Sequence, residues 1–154
     1  MIEDASADPT FLKSLAAALS ADLRGLSDQG VIDSINLVVS SPDGELIAGL
    51  AGTTSYGWLR VNMLWVSKNQ RRTGIGSDLM QRAMDLSISR GCHSAWLETS
   101  NPEACAFYER LGFSQFANLS NDGFPPPIHS RWFLRRSLTG IFADKAGRQN
   151  SKSS

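Results

Sequence analysis

The chain has 154 residues, enough for one domain with a substantial core and short for two. Its apolar fraction of 42% and charged fraction of 19% are those of an ordinary globular protein. Fifteen basic residues balance fifteen acidic ones, so no overall field draws the chain to nucleic acid or to an anionic membrane.

Asp8-Pro9-Thr10 predicts a helix start, followed by Phe11, Leu12, Leu15, Ala16, Leu19 and Leu23 at helical spacing, with Gly25 and Gly30 closing the segment. Ile35–Val39 reads as a strand, Ser41-Pro42-Asp43-Gly44 as a turn, and Leu46–Gly52 as the returning strand. The glycines in that return predict a kink or the close approach of another backbone. Trp58–Val66 predicts a third strand, with Arg60, Asn62 and Leu64 on one face and Val61, Met63 and Trp65 on the other.

A basic, glycine-bearing loop follows, Ser67 to Ser77. It opens an amphipathic helix with Ile75, Leu79, Met80, Ala83 and Leu86 on its apolar stripe, closed at Arg90-Gly91. Ser94–Thr99 reads as a strand, and Asn101-Pro102-Glu103 as the first positions of a second helix that stops at Gly112. Phe113–Leu119 and Arg131–Leu138 predict two closing strands, joined by the proline-rich loop Asn121–Ile128. The count predicts one domain over residues 1–139, an α/β (α+β) mixed sheet, and a polar tail over 140–154.

An apolar strand, a glycine loop and a helix N-terminus, in that order, suit an anion: orphan backbone N–H groups and the positive dipole end face it, and glycines let it approach. A P-loop would need Lys-Ser or Lys-Thr after the last glycine, and Ser77-Asp78 offers neither. A dinucleotide fingerprint would need a third glycine where Leu79 stands, and too little chain follows Glu98 to complete such a domain. Cys92 and Cys105 are spaced for neither a redox pair nor a zinc knuckle, and two histidines leave little for a metal site, so no metal is expected. Both cysteines read as reduced packing residues. The early acids Glu3, Asp4 and Asp8 do not suit a secretory leader, and no apolar run approaches membrane-spanning length, so a cytoplasmic protein is expected.

Two segments carry a resemblance. Arg71-x-x-Gly74-x-Gly76, after a strand ending in Trp65-Val66, resembles the acyl-CoA pyrophosphate loop of the GNAT superfamily of N-acyltransferases. Asn101-x-x-Ala104-x-x-Phe107-Tyr108-Glu109-x-Leu111-Gly112-Phe113 resembles that family's Asn…Ala…Tyr…Gly-Phe segment. The resemblance is firm from about Trp58 to Leu119 and implies a mostly antiparallel sheet splayed at its centre and flanked by helices. It implies acetyl transfer from acetyl-CoA to a primary amine of a small molecule or peptide, within a ternary complex. The cofactor would lie against Trp65, Val66, Arg71, Arg72, Thr73, Gly74, Ile75, Gly76, Ser77, Asn101 and Phe107.

Tyr108 matches the family's tyrosine and is expected to protonate the departing thiolate, with a core aromatic as the plainer reading. Members of the family often carry a basic carboxylate on the strand before the loop, where this chain has Arg60 and Asn62. Glu98, a water or His129 is then left to deprotonate the amine, and Arg60, Asn62 and His129 are expected along the acceptor pocket. An acyl-CoA-binding sensor of the same fold is the alternative. Arg131, Arg135 and Arg136 read as solvated charges rather than a nucleic-acid contact, and the apolar strand Trp132-Phe133-Leu134 offers a surface for a homodimer.

Overall fold

A computed structural model describes residues 5–26, 31–125 and 129–139, with the side chain of Leu26 excepted. Gly30, part of the proline loop and the tail expected over 140–154 lie outside the described residues. The first helix, α1 (Pro9–Leu26), begins where Asp8 Oδ1 accepts bonds from the Thr10 hydroxyl (2.7 Å) and the Thr10 N–H (2.8 Å). Those two bonds, the hydroxyl's first, draw the Asp8 carboxyl below its usual range. The helix runs through Gly25, and its apolar stripe of Phe11, Leu12, Leu15 and Leu19 is open to solvent.

Strands β1 (Asp33–Ser40), β2 (Leu46–Ser55) and β3 (Trp58–Val66) form an antiparallel meander. Helix α2 (Ile75–Ser89) then leads to β4 (Ser94–Thr99), which pairs parallel with β3. Helix α3 (Pro102–Arg110) leads to β5 (Ser114–Ser120) and β6 (Ser130–Ser137), and the sheet order is β1-β2-β3-β4-β6-β5. Every expected element is present, with β3 and β4 at their expected bounds and the other ends shifted by at most three residues. Strand β6 lies inside the sheet between β4 and β5, so the edge is β5 rather than the closing strand considered above for a homodimer.

One sheet face is covered by α2 and α3. Leu79, Met80, Ala83 and Met84 of α2 pack with Cys105 and Tyr108 of α3 on Ile35, Leu50, Leu59, Val61, Leu97 and Leu134 of the strands. A fully buried Leu97 or Leu134 contributes about 1.5–3 kcal/mol by leaving water. Asp78, Gln81, Arg82, Asp85 and Ser89 line the exposed side of α2, as the 3.6-residue period requires. The two cysteines are buried free thiols. Arg136 is not the solvated charge expected: its guanidinium donates to the Leu111 carbonyl at 2.7 Å and lies against the Met84 sulfur, stitching β6 to the end of α3.

The expected alternation of β3 holds only to Val61. The β2–β3 register passes from Gly52↔Val61 to Ala51↔Met63, leaving Asn62 as an extra residue in a bulge. Leu59 and Val61 face the core before it; Leu64 and Val66 pack against the core after it, and Met63 and Trp65 turn outward. Asn62 therefore does not share a face with both Arg60 and Leu64. Gly52 stands opposite the bulge, where an added Cβ would lie 2.8 Å from the Arg60 carbonyl oxygen, so a side chain there would displace backbone. The close approach predicted for the β2 glycines is this contact. No helix among the described residues is long and apolar enough to cross a membrane.

Candidate active site

The bulge is followed at once by a gap in the sheet. β3 and β4 pair only from Trp58 to Val61 against Ser94 to Leu97. Beyond that point β3 stays with β2 as far as Val66, while Glu98 and Thr99 of β4 stay with Phe133 and Trp132 of β6. The sheet splays between Val66 and Thr99, as expected, and the main-chain groups along that inner edge of β3 have no strand to bond. Such an edge accepts an extended ligand as an added strand.

The glycine loop stands at the mouth of this gap. A single 3-10 turn, Lys68–Gln70, leads into Arg71; Arg72 (φ +63°) and Gly74 (φ +93°) are left-handed, and α2 starts at Ile75. A left-handed residue among right-handed ones turns successive N–H groups toward one concavity. Among the described residues, no acceptor within the chain takes the N–H groups of Arg72 to Ser77; the first α2 amide to find one is Asp78, on the Gly74 carbonyl at 3.0 Å. The loop is braced from outside: the Thr73 hydroxyl donates to the Gln70 carbonyl (2.6 Å), and Arg71 Nε donates to the Val66 carbonyl (3.1 Å).

These groups line a cavity of about 440 Å³ with Val66 on one wall and Phe107 and Arg110 of α3 on the other. A Cβ at Gly76 would sit 3.5 Å from both Phe107 and Val66, so the missing side chain is open space inside the cavity. The structure thus gathers Val66, Arg71, Arg72, Gly74, Gly76, Ser77 and Phe107 in one place. Thr73 acts as a brace, Ile75 packs against the core, and Trp65 is half-exposed on the opposite side of the strand. Gln70 and Arg110 also line the cavity and were not anticipated. Arg110 follows Phe107 by three positions, which puts both on one face of α3, so helical spacing carried that signal. Loop amides, a dipole end and three guanidiniums fit a diphosphate.

Asn101 caps α3: its Oδ1 accepts from Glu103 N–H (2.9 Å) and Ala104 N–H (3.4 Å), leaving the side-chain amide nitrogen available. Two turns on, the Tyr108 ring is buried edge-to-face against Phe107 and Phe113. Burial pushes the Tyr108 phenol up to about 12. No described group bonds its hydroxyl, yet that oxygen is not sealed from solvent. Burial likewise raises the thiols of Cys92 and Cys105.

Glu98 lies one residue past the last β3–β4 pair, on the sheet face that α2 and α3 leave bare. Arg60 and Arg131 flank it, each 3.5 Å from one of its oxygens, and the Arg60 guanidinium also rests 4.8 Å from the Trp96 ring centre. Arg60 and Glu98 are therefore together, with Arg131 as an unanticipated third member. Its register places it there, since Arg131, Phe133 and Arg135 alternate along β6 on this face. Asn62 is exposed in the bulge, two residues beyond Arg60, with no described contact to this group. His129 is exposed; its carbonyl accepts from Asn121 N–H (2.9 Å), and no described contact joins its ring to Glu98 or Tyr108. Among the described residues, no cluster of His, Cys, Asp and Glu is arranged to hold a metal ion.

Residues 18–113 match the sequence profile of the Acetyltransferase (GNAT) family. The chain is 34% identical to Acetyltransferase Atu2258 of Agrobacterium fabrum, over 76% of its own length and 79% of the relative's. It is 36% identical to the blasticidin-S acetyltransferase of Streptomyces morookaense, over 60% of its length and 67% of that enzyme's. Among solved structures, an Agrobacterium tumefaciens protein assigned as an acetyltransferase superposes with a TM-score of 0.71 at 28% identity, covering 89% of this chain and 95% of that one. With the splayed sheet, the unpaired loop amides and the matched profile, this chain belongs to the GNAT family of acetyltransferases.

Proposed function

We propose that this acetyltransferase moves an acetyl group from acetyl-CoA directly to a primary amine, on a small molecule or a peptide, while both are bound. The observation that carries the reading is the coincidence of two unpaired backbone surfaces: the inner edge of β3 beyond Val61, and the N–H groups of Arg72 to Ser77 at the mouth of the same gap. The loop amides with Arg71, Arg72 and Arg110 would hold the diphosphate, and Phe107, Val66 and Asn101 would border the chain leading inward. Acetyl-CoA supplies an activated acyl group.

In the transfer a C–N bond forms at the acyl carbon and the C–S bond breaks. The amine must first lose a proton, and Glu98, which lies at the splay point, would take it directly or through a water. The departing sulfur must gain one. Tyr108, protonated up to about pH 12, always has a proton to give. It is a weak acid toward an ordinary thiol near 8.5. The dry surroundings that raise the phenol also raise a thiol, as they do for Cys92 and Cys105, which narrows the gap. Unbonded N–H groups on the β3 edge suit a developing oxyanion.

Acetyl-CoA is expected to raise the melting temperature by several degrees, and an amine panel to release free thiol. Tyr108→Phe should lower kcat by about 10²–10³ while acetyl-CoA affinity stays within about twofold. A variant as fast as the parent would remove Tyr108 from the proton path. A binding-only sensor is the second reading, favoured by the two guanidiniums already engaging Glu98. Thermal stabilisation with no thiol release across a broad panel would select it.

A further inference from the structure

The bare sheet face carries more than the transfer reaction needs. Beside Glu98, the rings of Trp58, Trp96, Phe116 and Phe133 line a shallow cavity of about 480 Å³, with Arg135 at its edge. Phe116 meets Phe133 edge-to-face at 6.3 Å, and the Arg135 guanidinium lies 5.5 Å from the Phe116 ring centre. Register fixes the distances along the face. Trp96 is two positions before Glu98 on β4, and Trp58 pairs with Ser94, two positions earlier. At a strand's rise these rings lie about 7 and 13 Å from the splay point.

The charge around Glu98 is lopsided: among the described residues of this cluster, Arg60, Arg131 and Arg135 oppose its one carboxylate. The two ion pairs to Glu98 are long, at 3.5 Å against about 2.8 Å for a tight charge-assisted bond. Each guanidinium has five donors, so Arg60 and Arg131 keep most of theirs for another anion. A polycationic acceptor would meet repulsion here. A zwitterion would not: its ammonium would face Glu98 while its carboxylate bridged the two flanking arginines.

We propose that the acceptor is an aromatic α-amino carboxylate, its amine at Glu98, its carboxylate on Arg60 and Arg131, and its ring on the Trp96–Phe133 surface. The inference rests on the transferase reading above and narrows it. The amine and the carboxylate share one carbon, as Glu98 and its flanking guanidiniums share one spot. The aromatic ring lies a few ångströms further along the face, where Trp96 begins.

The test is steady-state thiol release with acetyl-CoA and paired acceptors: tryptophan against tryptamine, phenylalanine against phenethylamine, and spermine as a polycation. The amino acids should exceed their decarboxylated partners in kcat/KM by about tenfold or more, the worth of a lost charged hydrogen bond. Arg131→Gln and Arg60→Gln should each cut the preference for tryptophan over tryptamine in kcat/KM about tenfold, whatever they do to the common rate. Equal use of each pair, or preference for spermine, overturns the acceptor class and leaves the transferase standing. Acetyl-CoA binding without thiol release from any amine overturns both. Sedimentation of a dimer that Phe116→Glu dissociates, with acceptor preference unchanged, gives the aromatic face to a second copy of the chain and also overturns the proposal.

Discussion

The two halves of this site are built from different materials. The half proposed to hold the diphosphate is backbone: N–H groups of Arg72 to Ser77 with no acceptor among the described residues, set by left-handed turns at Arg72 and Gly74 and by a missing side chain at Gly76. The half proposed to take the acceptor is side chain: Arg60 from β3, Glu98 from β4, Arg131 from β6, brought together by strand register alone. A backbone site is written in consecutive residues, and its spacing can be read. A side-chain site assembled across three strands has no local signature, and a one-residue change of register would dissolve it.

The largest expected effect falls on the side-chain half. Glu98→Gln keeps shape and removes the proposed base, so kcat should fall about 10²–10³ with KM for acetyl-CoA unchanged. Because Glu98 is about one-third exposed, the fold should survive. A kcat within threefold of the parent would leave water alone to deprotonate the amine, and the acceptor half would be a binding surface only.

Tyr108 belongs to neither half, and its burial gives a stability test. The folded phenol titrates near 12 and the unfolded one near 10, so above pH 10 the unfolded chain binds fewer protons and ionisation favours unfolding. The contribution is complete below pH 10 and is lost as pH rises toward 12. Measured by urea unfolding against Tyr108→Phe, which cannot ionise, the parent should lose about 2 kcal/mol of relative stability between pH 9 and about pH 11.5. Parallel curves for the two proteins would mean the phenol is already in water.

On the backbone half, Gly76 sharpens the contrast. Its absent Cβ would stand 3.5 Å from Phe107 and Val66, an ordinary contact, so Gly76→Ala should bind acetyl-CoA within about threefold of the parent. Gly76→Leu would fill the same cavity and should weaken binding by about 10- to 100-fold, the scale of overpacking a formed site. Calorimetric titration separates the two. If leucine were tolerated, the ligand would not pass this wall.

What could be read from the chain divides along the same line. The element order, both ends of β3 and β4, and the α2 stripe followed from periodicity and from turn residues. The Asn101 cap and the loop followed from spacing. The faces of β3 did not, because the bulge at Asn62 inserts a residue that period-two counting cannot see. Gly52 was the available clue, since a glycine within a strand marks a close backbone approach, yet it lies on the neighbouring strand. Arg131 was missed as Glu98's neighbour because the pairing of β4 with β6 skips over β5. Arg136 was misjudged because its exposure depends on the end of α3, at Leu111, rather than on its own strand.

The smallest expected effect is at Asn101, where one side chain serves both materials. Its oxygen is spent on the α3 cap, and its amide nitrogen faces no described acceptor. Asn101→Ala should cost about 1 kcal/mol of stability through the lost cap. Asn101→Asp keeps the capping oxygen and favours the positive end of the α3 dipole, so stability should hold. The same change deletes the N–H donor, and acetyl-CoA should bind about fivefold more weakly if that donor meets the ligand. A cap alone would leave aspartate neutral in both measurements and alanine costly in stability only. A loss of affinity in both variants, with stability lost in alanine alone, separates the two roles of a residue whose sequence position announces both.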